Sequence, residues 1–309
     1  MNALREPGSE VASERSRRGA AHWAVSAAMP EPKVDVLIPS VRSAELAVTL
    51  AGLAAQDDPP FRVIISDQSD AGLVSDPAVM AMLRVLHAQG RGIAVHRHLP
   101  RRGLAEQRQF LIEQSDAPRV LCLDDDVWLE PGALARLDMA LDELGCGFVG
   151  YAVQGLSYLD EPRPEERTTF EPWGPGGVQP ERVRPDAPAF GRWPLHNAAN
   201  LAHEAAARGL ADDERLAYHV AWIGGCVLYR RDSLVAAGAY DFWPQLPPEH
   251  AGEDVAAQWR VMERDGGAGI LPSGAVHLES PTTVVDRRLN AIDVVFGGSP
   301  EQRLAPASR

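Results

Sequence analysis

The chain has 309 residues, of which 45% are hydrophobic, and its 30 basic and 43 acidic residues give a formal net charge of −13. A chain of this length can bury a full core, and it favours one large α/β domain over two small ones. The acidic balance excludes partners that are themselves polyanions, so we expect no nucleic acid and no anionic lipid surface as a partner.

The three cysteines lie far apart in apolar contexts and form no CxxC pair; they are Cys122, Cys146 and Cys226. This usage is typical of reduced core residues in a cytoplasmic protein. No apolar run is long enough to span a bilayer, and residues 1–30 lack the apolar centre of a signal peptide. Arginine supplies all basic residues but Lys33, which indicates a GC-rich bacterial genome. The sequence therefore predicts a cytoplasmic protein without a membrane span.

Along the chain, strand patterns alternate with helix patterns. Residues 1–32 are polar and lack periodicity, so we expect a flexible tail. Short β-branched runs then predict strands at 34–39, 61–67, 92–98 and 119–126, and helical spacing predicts helices at 44–56, 77–89 and 104–115. This alternation predicts an α/β fold with a single doubly wound, mostly parallel sheet. Ligands bind at the carboxyl ends of the strands in such sheets.

The second half of the chain contains a proline-rich insertion. A helix is predicted after Pro131 and a strand at 147–155. Eight prolines then fall between residues 158 and 195, a density that excludes regular elements there. We expect a functional loop, and its aromatic residues indicate that it packs against something. Regular structure resumes near 215, with a helix at 252–266 and a last strand within 269–280, and residues 286–309 are expected to be a C-terminal tail.

The segment "LCLDDDVWLEPG", residues 121–132, places three adjacent carboxylates at a strand end. An EF-hand loop beginning at Asp124 is excluded, because Trp128 stands at the fifth loop position, which should be a ligand, Leu129 at the glycine position and Ala135 at the twelfth, where a glutamate should close the loop. A helix cap with two solvent-facing aspartates is one alternative. The place after a buried strand favours the other, a Mg²⁺ or Mn²⁺ ion whose coordination is completed by substrate phosphates.

Around the triplet the sequence resembles the family 2 glycosyltransferases, which have the GT-A fold. The resemblance rests first on "GLAEQRQFLIEQSDAPRVLCLDDDVWLEPGALARL". It rests also on the strands "VDVLIPS" and "VIISDQSD", which precede this segment, and on "GGCVLYRRDSLVAAGAYD", "GEDVAAQWRVMERDG" and "VHLES", which follow it. Together these segments cover residues 34–280. Three features depart from the family pattern. This chain has "SVR" where the family has "TYN" and "DQSD" where the family has "DDGS", and its proline-rich insertion is long. The resemblance implies a nucleotide-sugar-binding half at 33–150 and an acceptor-binding half at 151–285, with the proline-rich loop at 158–195.

In the first half, the resemblance implies a nucleotide pocket. Asp67 would accept a hydrogen bond from the base, expected to be uracil, and Pro39 and Ser40 would flank it. Gly103 would allow the backbone to approach the diphosphate, and Arg108 would support the pocket. Two alternatives from the residues alone stay open, since Asp67 also suits a turn and Arg108 also suits a helix surface.

The resemblance also implies how the metal is held. Asp124 and Asp125 would face the nucleotide and its ribose, with Asp126 as the main ligand of Mn²⁺ or Mg²⁺ and Asp124 as a further metal-site residue. His277 would be a second protein ligand, because imidazole is acceptable to Mn²⁺. A structural role for His277 is the alternative.

In the second half, the resemblance implies the acceptor site and the base. Asp254 would be the general base, and Glu253 its neighbour. Both begin a helix, so complementing the helix dipole is their alternative role. Trp222 would stack on a sugar, and Gly224 and Gly225 would let the backbone approach the acceptor, although a tight core turn explains them equally.

The function implied is a metal-dependent, inverting glycosyltransferase of the hexosyltransferase type, EC 2.4. It would move a sugar from a nucleoside-diphosphate sugar, expected to be a UDP-sugar, to a hydroxyl group of a saccharide, a lipid-linked acceptor or a small molecule. A retaining GT-A enzyme and a non-catalytic sugar-nucleotide-binding protein are the alternatives. A pyrophosphorylase is disfavoured, because "PSVRSAEL" after the first strand contains no glycine.

Overall fold

The computed structural model describes residues 23, 28–211, 214–284 and 287–297. Most of the predicted N-terminal tail, residues 1–22 and 24–27, lies outside the described residues. The described strands are β1 (Val34–Ser40), β2 (Phe61–Asp67), β3 (Gly92–Arg97), β4 (Arg119–Leu123), β5 (Val127–Leu129), β6 (Phe148–Gly150), β7 (Gln154–Gly155), β8 (Leu216–Tyr218), β9 (Cys226–Arg230), β10 (Gly267–Leu271) and β11 (Ala275–His277).

The described α-helices pack on the two faces of the main sheet and against its insertions. They are α1 (Ser43–Ala54), α2 (Pro77–Ala88), α3 (Leu104–Glu113), α4 (Ala133–Leu144), α5 (Asn200–Arg208), α6 (Arg231–Ala236), α7 (Glu253–Asp265) and α8 (Ala291–Phe296). Within the described ranges, no helix combines the length and the apolar character that crossing a membrane requires.

An eight-stranded sheet in the order β3-β2-β1-β4-β9-β6-β10-β8 forms the centre of the fold. The first four strands in that order pair in parallel, whereas β9 runs antiparallel to both β4 and β6, and β8 runs antiparallel to β10. One apolar cluster covers each face of the sheet, because alternate residues of a strand point to opposite sides: Val36 and Ile38 belong to one cluster and Leu37 to the other. The predicted α/β fold with a mostly parallel sheet is confirmed.

The strand register places polar residues of different strands side by side at the carboxyl edge. Ser40 pairs with Asp67, and Asp67 pairs with Arg97. Strand β4 ends at Leu123, immediately before the acidic triplet. The carboxyl ends of β1, β2, β3 and β4 therefore form one polar edge, where α/β sheets bind ligands.

A second sheet, which the sequence did not predict, lies beside this edge. Strand β11 pairs antiparallel with β5 and parallel with β7, so His277 stands opposite Val127, one residue after the triplet. The backbone N–H of Leu278 also donates to the carbonyl of Asp126 at 2.9 Å. The sequence contains no sign of this second sheet, because its strands are two or three residues long, too short for a periodic pattern.

The proline-rich insertion consists of turns and short 3-10 segments at 156–158, 164–167 and 188–196. Its aromatic side chains pack against the second half of the chain. The ring centroids of Phe170 and Tyr218 are 5.2 Å apart, and those of Trp193 and Trp222 are also 5.2 Å apart. The prediction that these aromatic residues pack is confirmed.

Of the predicted C-terminal tail, residues 286–309, the structure describes 287–297, and these contain helix α8; residues 286 and 298–309 lie outside the described residues. The side chain of Asn290 accepts a hydrogen bond from the N–H of Ile292 and caps the helix. Ala291 and Ile292 are buried, and the ring of Phe296 lies 5.7 Å from that of Trp259 in α7. A six-residue helix held by packing gives too short a pattern to be recognised in the sequence.

We expect Gly269→Ala to destabilise the fold by about 1–3 kcal/mol, because a Cβ there would lie 2.2 Å from Cζ of Tyr218 in the neighbouring strand. Thermal unfolding measures the effect. Gly174→Ala is the control, since a Cβ at that position meets no atom within 4 Å. Equal melting temperatures for the two variants would contradict the tight packing of β10 on β8.

Candidate active site

Each carboxylate of the acidic triplet at the end of β4 contacts an arginine: Arg108 holds Asp124, and Arg42 holds both Asp125 and Asp126. Asp124 Oδ1 accepts from Arg108 Nη2 at 2.8 Å. Asp125 accepts from Ser40 Oγ at 2.7 Å and from Arg42 Nη2 at 2.5 Å. Three adjacent carboxylates repel one another unless donors or cations compensate them, and these contacts supply part of that compensation.

Asp126 keeps a raised pKa although Arg42 and His277 lie beside it. Its Oδ2 lies 2.9 Å from Arg42 Nη2 and 3.5 Å from His277 Nε2. Burial, and then repulsion from Asp124, raise the pKa of Asp126, and the opposing effects of His277 and Arg42 do not cancel this rise. A carboxyl group in this condition gains from an additional cation.

Arg108 connects the triplet to the start of α7. It is 5% exposed, and while its Nη2 contacts Asp124 its Nε lies 3.3 Å from Glu253 Oε1. The alternative in which Arg108 is a helix-surface cation is therefore excluded. Burial raises the pKa of Glu253, and the attraction of Arg108 opposes this effect only in part.

Asp254 follows Glu253 in the first turn of α7. Its Oδ1 accepts from the N–H of Val255 at 2.8 Å, so it does contact the helix terminus. Burial first, and then repulsion from Glu253, nevertheless raise the pKa of Asp254 to about 7. A carboxyl group with this pKa exchanges a proton near neutral pH, as a general base must.

Asp67 at the end of β2 is fixed by four hydrogen bonds. Its Oδ1 accepts from Ser69 N at 2.9 Å, Ser69 Oγ at 2.7 Å and Arg97 Nη1 at 3.0 Å, while Oδ2 accepts from Leu73 N at 2.9 Å. Burial alone would raise the pKa of Asp67, but the hydrogen bonds from Ser69 and Leu73, with the charge of Arg97, lower it. The side chain is an ionised acceptor, and it also closes its own turn.

The other residues of the predicted nucleotide pocket surround this edge in different ways. Pro39 is buried in β1, and the hydroxyl group of Ser40 donates a hydrogen bond to Asp125. Gly103 has φ +104°, and a Cβ there would lie 2.6 Å from Cε1 of His250. The need for glycine at 103 is thus explained by the approach of His250, whose Nε2 accepts from the N–H of Ala105 at 3.2 Å.

The predicted acceptor residues form a turn that supports both the triplet and the insertion. Trp222 Nε1 donates to the carbonyl of Trp193 at 3.1 Å. A Cβ at Gly224 would lie 2.9 Å from Cζ3 of Trp222. Gly225 has φ +75°, and its carbonyl accepts from the N–H of Asp124 at 2.9 Å. Gln258 of α7 fixes the turn through both polar atoms of Ile223, at 2.8 and 2.6 Å.

The donor set fits a metal ion that shares its coordination with a substrate. In the part of the chain that the structure describes, no three His, Cys, Asp or Glu side chains converge closely enough to enclose a metal ion. Asp126 and His277 do converge, and a carboxylate with one further protein donor suits Mg²⁺ or Mn²⁺ when phosphates supply the remaining ligands. His277 Nδ1 accepts from the N–H of Glu279 at 2.9 Å, so binding of a metal at Nε2 requires the ring proton to move to Nδ1 and this contact to open. Asp124 is 37% exposed on its side chain but directs Oδ1 to Arg108.

Two residues of this site were missed by the sequence analysis, Arg42 and Gln258. The only signal for Arg42 was the departure "SVR" from the family pattern, which places an arginine two residues after β1. Gln258 gave no signal, because its partner Ile223 is 35 residues away.

The raised pKa of Asp254 predicts a pH-dependent stability difference between the wild type and Asp254→Asn. The native state holds this proton up to about pH 7, whereas the unfolded chain, with a pKa near 3.8, has lost it. The stabilisation is therefore complete below about pH 4 and lost as the pH rises through about 7. Urea unfolding from pH 4 to 8 should show the variant gaining stability relative to the wild type.

A helix-dipole role alone gives the opposite result in this experiment. An ionised Asp254 that only complements the dipole would make the variant less stable by about 0.3–1 kcal/mol at neutral pH. Relative stability of the variant that falls as the pH rises would contradict the raised pKa.

Comparisons with known proteins agree with this geometry. A family model described as Glycosyl transferase family 2 matches residues 35–199, more than half of the chain. No curated protein sequence matches. Among solved structures, Staphylococcus aureus TarS 1-349 matches with a TM-score of 0.51 and 15% identity over 79% of this chain, and its complex with UDP-GlcNAc matches with 0.52 and 15% over 82%.

The mannosyltransferase PcManGT from Pyrobaculum calidifontis, in complex with GDP-Man and Mn²⁺, matches with a TM-score of 0.50 and 16% identity over 89% of this chain. The chain spans 60% of the length of the TarS 1-349 structures and 64% of that of PcManGT. At these identities the structures show the fold, and they confirm the predicted GT-A fold. Together with the match of the family model, this shows that the chain belongs to glycosyl transferase family 2.

Proposed function

We propose that the chain is a metal-dependent, inverting glycosyltransferase that uses a UDP-sugar and a hydroxyl acceptor. The observation that carries the proposal is the network of ion pairs at this edge, in which Arg42 holds Asp125 and Asp126, and Arg108 holds Asp124 and Glu253. His277 lies beside Asp126, and Asp254 follows Glu253 in the chain. This network joins a candidate metal site to a candidate base. A protein that only bound a sugar nucleotide would need no carboxyl group with a pKa of about 7 at the end of that network.

The metal would be held by Asp126 and His277, with the diphosphate of the donor completing its coordination. When bound, Mn²⁺ or Mg²⁺ supplies Lewis-acid stabilisation of the charge that develops on the leaving nucleoside diphosphate. Mn²⁺ is bound together with GDP-Man in the PcManGT structure, which supports a divalent ion at this edge of the fold. Arg108 supports the same region by holding Asp124 in place.

Asp254 would take the proton of the acceptor hydroxyl. As that oxygen forms its bond to the anomeric carbon, the bond from this carbon to the diphosphate oxygen breaks, and the nucleoside diphosphate leaves with the electron pair. A single in-line displacement of this kind inverts the configuration. A positioned base of suitable pKa contributes roughly 10²- to 10⁴-fold to the rate.

The surroundings of Asp67 favour uracil over guanine. Three donors occupy Oδ1, whereas Oδ2 accepts one hydrogen bond from within the described residues. One acceptor position matches the single N–H on the pairing edge of uracil. Guanine presents two donors on that edge and would require both oxygens of the carboxylate. A UDP-sugar also agrees with the UDP-GlcNAc complex of TarS 1-349.

The acceptor would bind beside the turn that carries Trp222, Gly224 and Gly225, where the insertion packs. We propose a saccharide, a lipid-linked acceptor or a small molecule with a free hydroxyl group. A cytoplasmic location belongs to the same proposal, since Cys122, Cys146 and Cys226 are free and buried.

Calorimetric titration with UDP tests the donor site. We expect the wild type to bind UDP more tightly with Mn²⁺ than without it, and we expect Asp126→Ala to lose that gain, because Asp126 supplies the carboxylate ligand. GDP serves as the comparison nucleotide and should bind more weakly. Equal UDP affinities of the two proteins in the presence of Mn²⁺ would exclude Asp126 as a ligand.

Initial-rate assays with a UDP-sugar test the base. Asp254→Asn preserves shape but cannot accept a proton, so we expect turnover to fall by roughly 10²-fold or more with little change in UDP affinity. For the wild type, kcat/KM should rise with pH through about 7, where Asp254 becomes ionised. A variant with full turnover would leave the base unassigned, and a retained configuration in the product, measured by NMR, would exclude the single displacement.

A further inference from the structure

Arg42, which follows β1 in the chain, forms ion pairs with two carboxylates of the acidic triplet. Its Nη2 donates to Asp125 Oδ1 at 2.5 Å and to Asp126 Oδ2 at 2.9 Å, and its Nη1 donates to the carbonyl of Pro281 at 3.2 Å. The side chain is 21% exposed. One guanidinium thus compensates two of the three carboxylates, and it also contacts the segment that follows His277.

The oxygen that Arg42 uses on Asp126 is the one that faces His277. Asp126 Oδ2 lies 3.5 Å from His277 Nε2, so an ion shared by these two residues would bind that same oxygen. A divalent cation and a guanidinium repel each other, and a donor N–H directed at an oxygen blocks one of its lone pairs. Arg42 and the metal therefore compete for one atom.

On the basis of the proposed function, we propose that Arg42 neutralises the carboxylates of the metal site before the metal binds. When the donor diphosphate binds, Arg42 releases Asp126, which then becomes a ligand of the metal. The bond of Arg42 to Asp125 can persist, while the diphosphate accepts the N–H groups that are freed, a pairing for which guanidinium geometry is well suited. Arg42 would thereby make metal binding depend on the nucleotide, and nucleotide binding depend on the metal.

Two further observations support this role. Within the described residues, the buried Nε of Arg42 has no hydrogen-bond partner, so the guanidinium has a donor left for a phosphate oxygen. Although burial opposes its charge, the hydrogen bond and the attraction from Asp125 raise the pKa of Arg42 above its usual value, so the group remains a cation. Arg42 is a positioning residue in this account, and its effect is exerted through Asp126 and the phosphates.

The affinity for Mn²⁺, measured by electron paramagnetic resonance of the free ion, tests the proposal without an activity assay. It is measured for the wild type, Arg42→Gln, Arg42→Lys and Arg62→Gln, each with and without saturating UDP. Arg62 is the matched control, because it also joins two aspartates, Asp35 and Asp116, and is 27% exposed, but it lies at the opposite ends of the same strands.

We expect Arg42→Gln to bind Mn²⁺ alone more tightly than the wild type, roughly 5- to 150-fold, the range of typical coupling between sites. UDP should then increase its Mn²⁺ affinity by a smaller factor than it does for the wild type. Arg42→Lys keeps one positive charge near Asp125 and should show the same change at a smaller size, which decides the matter if Arg42→Gln does not fold. Arg62→Gln should match the wild type.

Three results would overturn the proposal, and they separate it from the proposed function. If UDP promotes Mn²⁺ binding to the wild type but the Arg42 variants bind Mn²⁺ alone no more tightly, competition by Arg42 fails and the metal site stands. If Mn²⁺ leaves UDP binding unchanged and Arg42→Gln weakens it, Arg42 is a permanent phosphate contact. If the wild type binds no Mn²⁺ with UDP, the metal site fails and this inference fails with it.

Discussion

Electrostatic repulsion at the carboxyl edge of the sheet is the constraint on which the rest of the structure depends. Five carboxylates converge there, from Asp124–Asp126 and from Glu253 with Asp254. Two like charges 4 Å apart repel by about 4 kcal/mol at the dielectric effective near a protein surface. Arg42 and Arg108 compensate part of this charge, and the raised pKa values of Asp126 and Asp254 show what remains.

The remaining negative charge gives the site its two chemical capacities. At Asp126, beside His277, it favours a divalent cation. At Asp254, which forms no ion pair within the described residues, it favours a proton and raises the pKa of the carboxyl group to about 7, as the proposed base requires. Arg108 lies between these two positions and holds both Asp124 and Glu253, so the different roles proposed for Asp126 and Asp254 depend on where the arginines lie.

The fold brings these residues together through three separate devices. Parallel pairing aligns the ends of β1, β2 and β4, which places Ser40, Asp67 and the triplet along one edge. The three-stranded sheet carries His277 back to the triplet. The two hydrogen bonds between Gln258 and Ile223 join helix α7, which carries Asp254, to the turn that contains Gly225. The carbonyl of Gly225 in turn accepts a hydrogen bond from the N–H of Asp124. Each device connects segments that are distant in sequence.

The sequence predicted the elements that have a local sequence pattern, and it missed the contacts between residues that are distant in sequence. The strand "FRVIISD" and the helix starting at Pro77 were predicted nearly to their observed ends, because β-branched runs and an N-terminal proline are local signals. The triplet and Asp67 were assigned to strand ends for the same reason. The pairing of Arg42 with Asp125 spans 83 residues, and that of β11 with β5 spans a far longer stretch, and neither leaves a periodic trace.

The family resemblance supplied roles for single residues but not the contacts between them. It named Arg108 as a support of the nucleotide pocket, and the structure shows that its partners are Asp124 and Glu253. It gave Gly103 an approach to the diphosphate, and the structure shows His250 against that glycine. The departure at Arg42 had no counterpart in the family pattern, so its place in the charge network came from the structure alone.

We expect the carboxylate of Asp126, with His277 beside it, to hold a divalent ion together with the donor. Crystals grown with UDP and Mn²⁺, with data collected at the manganese absorption edge, test this claim most directly. The account predicts one anomalous peak within coordination distance of Asp126 Oδ2, His277 Nε2 and both phosphates of UDP, with Arg42 moved off Asp126. Ordered UDP with no manganese peak at that position, and Arg42 still on Asp126, would contradict it.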